Sequence, residues 1–93
     1  MDWGALLRDT NNPSYPLIRK IVADLQRDHQ LWIDKVRAFE LESVHSSAGE
    51  PSEEAERLQA EVQALAVNIE SYVAELNYLG VELDVKQLFS EAR

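Results

Sequence analysis

Apolar residues return every three or four positions along two stretches of this chain. One series runs Ile18, Val22, Leu25, His29, Trp32, Val36, Phe39, and the other Ala55, Leu58, Val62, Leu65, Ile69, Tyr72, Leu76, Leu79. Steps alternating between three and four put every member on one side of an α-helix and make an unbroken heptad seam. Punctuation residues bound each helix. Pro16 suits a first turn, because its missing N–H would have no intrahelical partner there, so helix one is expected over 16–42. The polar stretch SVHSSAGEP at 43–51 reads as a loop. Ser52 is a good N-cap, and Glu53, Glu54 and Glu56 suit the positive end of a helix dipole. Gly80 supplies a left-handed residue where helix two should stop, which gives 52–79. At a rise of about 1.5 Å per residue each helix is about 40 Å long. The short loop leaves them antiparallel, with Phe39 beside Ala55 and Ile18 beside Leu76.

Weaker signals occupy the flanks. Residues 1–15 form an N-terminal arm in which 2–9 suit a short helix. TNNPSYP at 10–16 is a turn-rich joint, since residues before proline avoid helical geometry. In the tail, 80–93, VELD at 81–84 reads as extended. Asp84, with Gln87 three residues on, has capping-box spacing for a last short helix. The predicted fold is therefore all-α: one domain over 1–93, a long, coiled-coil-like antiparallel helical hairpin with short flanking helices.

Further apolar residues broaden both seams: Leu17, Ile21, Leu31 and Ile33 on helix one, and Ala66, Val73 and Tyr78 on helix two. A single partner helix covers a narrow stripe, so a wider one requires another surface. Leu17, Ile21, Leu31, Ile33, Val73 and Tyr78, with Trp3 of the arm, are the candidate interface residues. A second copy is the most economical cover and predicts a homodimer built as a four-helix bundle. Another helical protein is the alternative partner. On this reading Ile18, Val22 and Leu25 grip the sister helix, while Leu17 and Ile21 face outward.

Size sharpens that expectation. A chain of 93 residues buries only about 60–65% of the surface it exposes when unfolded, and such domains usually add a disulfide, a metal or a partner. The absence of cysteine removes disulfides, thiolate metal sites and thiol catalysis together. The net charge of −8 falls mainly on helix two, where Arg57 stands against Glu53, Glu54, Glu56, Glu61, Glu70 and Glu75. An acidic surface without a basic stripe repels phosphate backbones, so no nucleic-acid partner is expected. No apolar run approaches the roughly 18 residues of a membrane span. MDWGALLRD carries an acidic residue where a signal peptide is basic. A cytoplasmic location with no membrane partner is expected.

Candidate chemistry is sparse. His29 interrupts an apolar seam, and a bundle can use such a residue as a metal or haem ligand. Carboxylate-bridged metal sites need Glu-x-x-His, however, and Gln26 stands three residues before His29. The reading adopted is a partly exposed or hydrogen-bonded seam histidine, able to meet its symmetry mate across a dimer axis and so make stability depend on pH. Arg19, Lys20 and Asp24 form the densest charge cluster of helix one, and the two cations are expected to pair with Glu70, Glu75 or Glu82. Trp32 and Tyr72 are read as packing. No nucleophile–base pair, phosphate loop or metal motif appears. No catalytic, cofactor-binding or metal-binding residue is assigned, and no cofactor is expected. The expected function is a non-catalytic, self-associating structural or protein–protein interaction module, not an enzyme. The alternative is a small-molecule- or metal-binding bundle whose site lies between subunits and uses His29 and Arg19.

Two motifs carry a resemblance. NPSYPLIRKIVADL and, after the hairpin, AELNYLGVELD resemble the bacterial domain-of-unknown-function family 2203. Its members open with an Asn before Leu-Pro-Leu-Val-Arg-Arg-Ile-Val-x-Asp and run a long helical hairpin. They close helix two with a Glu-Leu-x-x-Leu-Gly-Val-Glu-Leu-like stretch. Asn12, Pro16, Leu17, Arg19, Lys20, Ile21, Val22 and Asp24 fit the first motif, with Tyr15 where Leu is usual. Glu75, Leu76, Leu79, Gly80, Val81, Glu82 and Leu83 fit the second, so the likeness covers about residues 12–84. The family's Phe-Thr opening is absent, with Leu6 and Leu7 near its place, and VKQLFSEAR stands where members continue into a Gly-Leu-Val-Asp-Phe-like stretch. The resemblance implies the hairpin and no activity.

Overall fold

Asn12 starts the first long helix. Its Oδ1 accepts the Ser14 backbone N–H at 2.8 Å, and the Tyr15 N–H donates to the Asn12 carbonyl at 2.9 Å. This Asx turn aims the chain into the helix, and Pro16 falls in the first turn, where its missing N–H costs nothing. The structure, a computed structural model, describes residues 3–45 and 53–91, with the backbone alone at 43–45. Helix α1 spans Tyr15–His45 and α2 spans Glu53–Tyr78; a 3₁₀ helix at Trp3–Leu7 precedes them and α3 at Val85–Ser90 follows. No strand occurs among the described residues. Helix one thus outlasts its expected end at Glu42, because Ser43, Val44 and His45 include no helix breaker. Ser52, expected to cap helix two, and the loop residues 46–51 lie outside the described residues.

The end of α2 is a Schellman turn. Val81 N donates to Leu76 O at 2.8 Å and Gly80 N to Asn77 O at 3.1 Å, with Gly80 at φ +96°. Asn12 reaches across to this corner, its Nδ2 donating to Leu79 O at 3.1 Å. One amide therefore both launches α1 and ties it to the last turn of α2. The segment 81–84, expected to be extended, is irregular but pinned: the Asn77 side chain donates to Leu83 O and accepts from Leu83 N. Asp84 caps α3 as its spacing predicts, Oδ1 accepting from Lys86 N at 2.9 Å.

The two long helices pack antiparallel, as the Asn12–Leu79 bridge at one level and the Lys35–Glu61 ion pair at another require. Ile18, Val22, Leu25, Trp32, Ile69 and Leu76 form the buried seam. Around it the flanking segments add a third layer: Trp3, Leu6 and Leu7 from the N-terminal arm, then Val81, Leu83, Val85, Leu88 and Phe89 from the tail. This layer overturns part of the expected interface. Ile21 is only 6% exposed, and Ile33 and Val73 are buried as well, all three inside the chain's own core. The hairpin covers part of its margin with its own ends, so these residues present no surface to a partner.

Cover is uneven along the hairpin. Beyond Ile33 none of the described α1 side chains is buried, and Val36, Phe39, Val62 and Leu65 stay half-exposed, although Ala55 and Leu58 are buried. The radius of gyration, 15.9 Å, exceeds the ~12 Å of a globular domain this size. The molecule is a rod of 56 × 19 × 17 Å, thick at the Asn12 end and thin toward the other.

Gly80 gives a direct test of the corner. A Cβ built there meets nothing nearer than Asn12 Nδ2 at 3.9 Å, so space is available and only the left-handed backbone resists a side chain. Gly80→Ala should lower stability by about 1–2 kcal/mol in urea unfolding, and Gly80→Asn by less. Equal midpoints for Gly80→Ala and the parent would show that this turn does not need glycine.

Candidate functional site

Three elements converge on His29. The residue is 3% exposed. Its Nε2 lies 2.9 Å from the Leu88 carbonyl oxygen in α3; a carbonyl only accepts, so Nε2 carries the hydrogen. The Glu91 carboxylate stands 3.6 Å from the same nitrogen. Trp3 of the 3₁₀ helix sets against the imidazole edge-on, centroids 5.6 Å apart at 64°. Trp32, one turn along α1, lies nearly parallel to it at 6.1 Å and 16°. Phe89 then packs on Trp32 at 4.9 Å. Of the two expected forms, partly exposed or hydrogen-bonded, His29 is the hydrogen-bonded and buried one, and its surroundings come from its own chain. The expectation that two such histidines meet across a dimer axis is corrected accordingly.

These contacts hold α3 in place. Leu88 is its one buried residue, and the Phe89–Trp32 contact and the His29 hydrogen bond add to what that burial supplies. One cost remains in the cluster: Trp32 Nε1 is buried without a protein acceptor, a donor whose desolvation is worth about 1–3 kcal/mol.

Sequence reasoning missed a polar row beside His29. Ile21, Asp28 and Lys35 recur at seven-residue steps along one margin of the seam. Asp28 is buried, accepts from Arg27 Nε at 3.4 Å, and faces the Tyr72 hydroxyl of α2. Burial first, and then the Asp28 charge, holds that hydroxyl above the ordinary tyrosine range. One heptad on, Lys35 Nζ meets Glu61 Oε2 at 2.7 Å, and this contact holds the half-buried Glu61 carboxyl below its usual range. The heptad spacing was the available signal, and these pairs need only the antiparallel register to be found. Arg19 and Lys20 instead remain exposed, and the expected bridges to Glu70, Glu75 or Glu82 do not form among the described residues.

Of the candidate interface residues, Leu17 and Leu31 are exposed on α1, Tyr78 is 90% exposed on α2, and Trp3 is half-buried against His29. An open groove of about 560 Å³ runs beside Trp3 over Gln26, Arg27, Gln30 and Leu31. Arg19 does not reach His29: ten residues separate them on one helix, about 15 Å of rise. No three His, Cys, Asp or Glu side chains cluster as metal ligands among the described residues, and no described helix is long and apolar enough to cross a membrane. No protein-family model, curated protein or solved structure matches the chain.

Tyr72 yields a pH test. A raised folded value means that the fold favours the neutral hydroxyl. The resulting stabilisation is complete below the unfolded tyrosine value, about pH 10, and is lost as pH rises through the folded one. Tyr72→Phe should be less stable than the parent at neutral pH, with the gap closing under alkaline conditions. Tyr78→Phe, at an exposed position, is the control. A gap that stays constant up to pH 11 would dismiss the Tyr72–Asp28 interaction as the source.

Proposed function

We propose that this protein is a non-catalytic protein–protein interaction module that acts in the cytoplasm and associates through the thin half of its hairpin. One observation supports the reading above the others. On α1 the seam is buried from Ile18 to Trp32, whereas Val36 and Phe39, with Val62 and Leu65 of α2, stay half-exposed beside the exposed Leu41, although Ala55 and Leu58 are buried. A two-helix seam of this kind is completed by one or two further helices. A second copy is the simplest supplier, giving a homodimer whose thin halves join as a four-helix bundle. Exposed Leu17, Leu31 and Tyr78 extend the apolar surface along the rod.

Membership of domain-of-unknown-function family 2203 belongs to the same proposal. Motif residues have structural work here: Asn12 bridges the two helices, and Leu76, Gly80 and Val81 build the Schellman corner. They serve the hairpin and carry no chemistry.

Sedimentation equilibrium tests the association. The parent should shift from the 10.6 kDa chain mass toward twice that value with rising concentration, and its melting temperature should rise in step. Phe39→Ala should weaken association and cost about 1–3 kcal/mol, while exposed Gln63→Ala changes neither. A parent that keeps the single-chain mass, with melting independent of concentration, would end the self-association reading.

A further inference from the structure

We propose that the N-terminal 3₁₀ helix and α3 form one clasp closed on His29, so that the two terminal segments dock and release together. The inference goes beyond the proposed association and does not depend on it. Neither segment is self-sufficient: Trp3–Leu7 contains no buried residue, and α3 buries only Leu88. They lie at opposite ends of the sequence, yet both use one imidazole. Trp3 packs its ring edge-on against His29, while Leu88 supplies the acceptor for His29 Nε2.

Each contact supports the other. With Trp3 in place the imidazole is almost wholly shielded, so water does not compete for the Nε2–H bond to Leu88 O. Without α3, Nε2 loses its acceptor and the ring must turn or hydrate, which spoils the edge-on contact with Trp3. The coupling is therefore reciprocal, as linkage requires.

The clasp is also built to open short of global unfolding. The segment leading to α3 turns at Gly80 and is held by the Asn77 side chain, without a ladder of backbone bonds. Releasing α3 uncovers the Trp32 indole, whose Nε1 has no protein acceptor while the clasp is closed and gains water on opening. That gain lowers the cost of opening relative to unfolding the long helices. The open state presents Trp32 and the apolar margin beside it.

Amide hydrogen exchange by NMR decides the matter on the full chain. Rates at Leu88 and Phe89 are taken relative to Ile69 and Leu76, so that general destabilisation cancels. Trp3→Ala should speed exchange in α3 by about fivefold or more, and Leu88→Ala should speed the Leu6 and Leu7 amides comparably. In a His29→Leu background Trp3→Ala should no longer affect α3. Trp3 and Trp32 are the two tryptophans of the chain and both pack on His29, so a red-shifted emission in Leu88→Ala would report the same opening. Trp3→Ala that frees the arm but leaves α3 exchange unchanged overturns the clasp. So does an equal Trp3→Ala effect with and without His29, which would route the coupling elsewhere.

Discussion

A helix packed on one neighbour buries a stripe and leaves both margins of that stripe wet. Nearly every feature of this protein answers that constraint. At the Asn12 end the chain folds its own terminal segments back over the seam, and Ile18, Leu25, Ile69, Leu76 and Leu88 become almost inaccessible. Toward the other end Ala55 and Leu58 are still buried, but Val36, Phe39, Val62 and Leu65 of the seam remain half-exposed. The buried core of this 93-residue chain without cysteine therefore lies mainly in the thick half.

The margins are not treated alike. Along the row Ile21, Asp28, Lys35, apolar burial gives way to a buried acid facing Tyr72 and then to a half-buried ion pair with Glu61. A polar pair adds less to stability than apolar packing in the same place, but it penalises slippage. Sliding α2 by one heptad would carry Tyr72 away from Asp28 and Glu61 away from Lys35, leaving the buried acid with Arg27 alone. Apolar seams repeat and tolerate such shifts; this row does not. With the Asn12–Leu79 bridge it sets the register.

Local signals in the sequence are legible because their causes are local. Heptad spacing, Pro16, Gly80 and Asp84 each act within a few residues, and the two long helices, the Schellman corner and the cap of α3 follow from them. The residues that went astray depend on distant chain. Ile21, Ile33 and Val73 look in sequence just like exposed Leu17 and Leu31. What separates them is the return of Trp3–Leu7 and Val85–Ser90 to the hairpin. The capping-box spacing of Asp84 and Gln87 signalled a last short helix, but not where it would lie. His29 was legible as an oddity, yet its acceptor is a backbone carbonyl, which no side-chain pattern announces.

The convergence of residues 3 and 91 at His29 also fixes how the molecule bears load. Tension applied between those two points first acts on the aromatic contacts and the single Nε2–H bond. It next meets the Asn12–Leu79 bridge, and only then the long helices. Because those helices are antiparallel and pulled from the same end, their seam layers separate in succession, as in a zipper. A pull between residue 3 and the far tip of the rod would instead load many layers at once in shear. The same hairpin is thus compliant when peeled from its ends and stiff when stretched along its length.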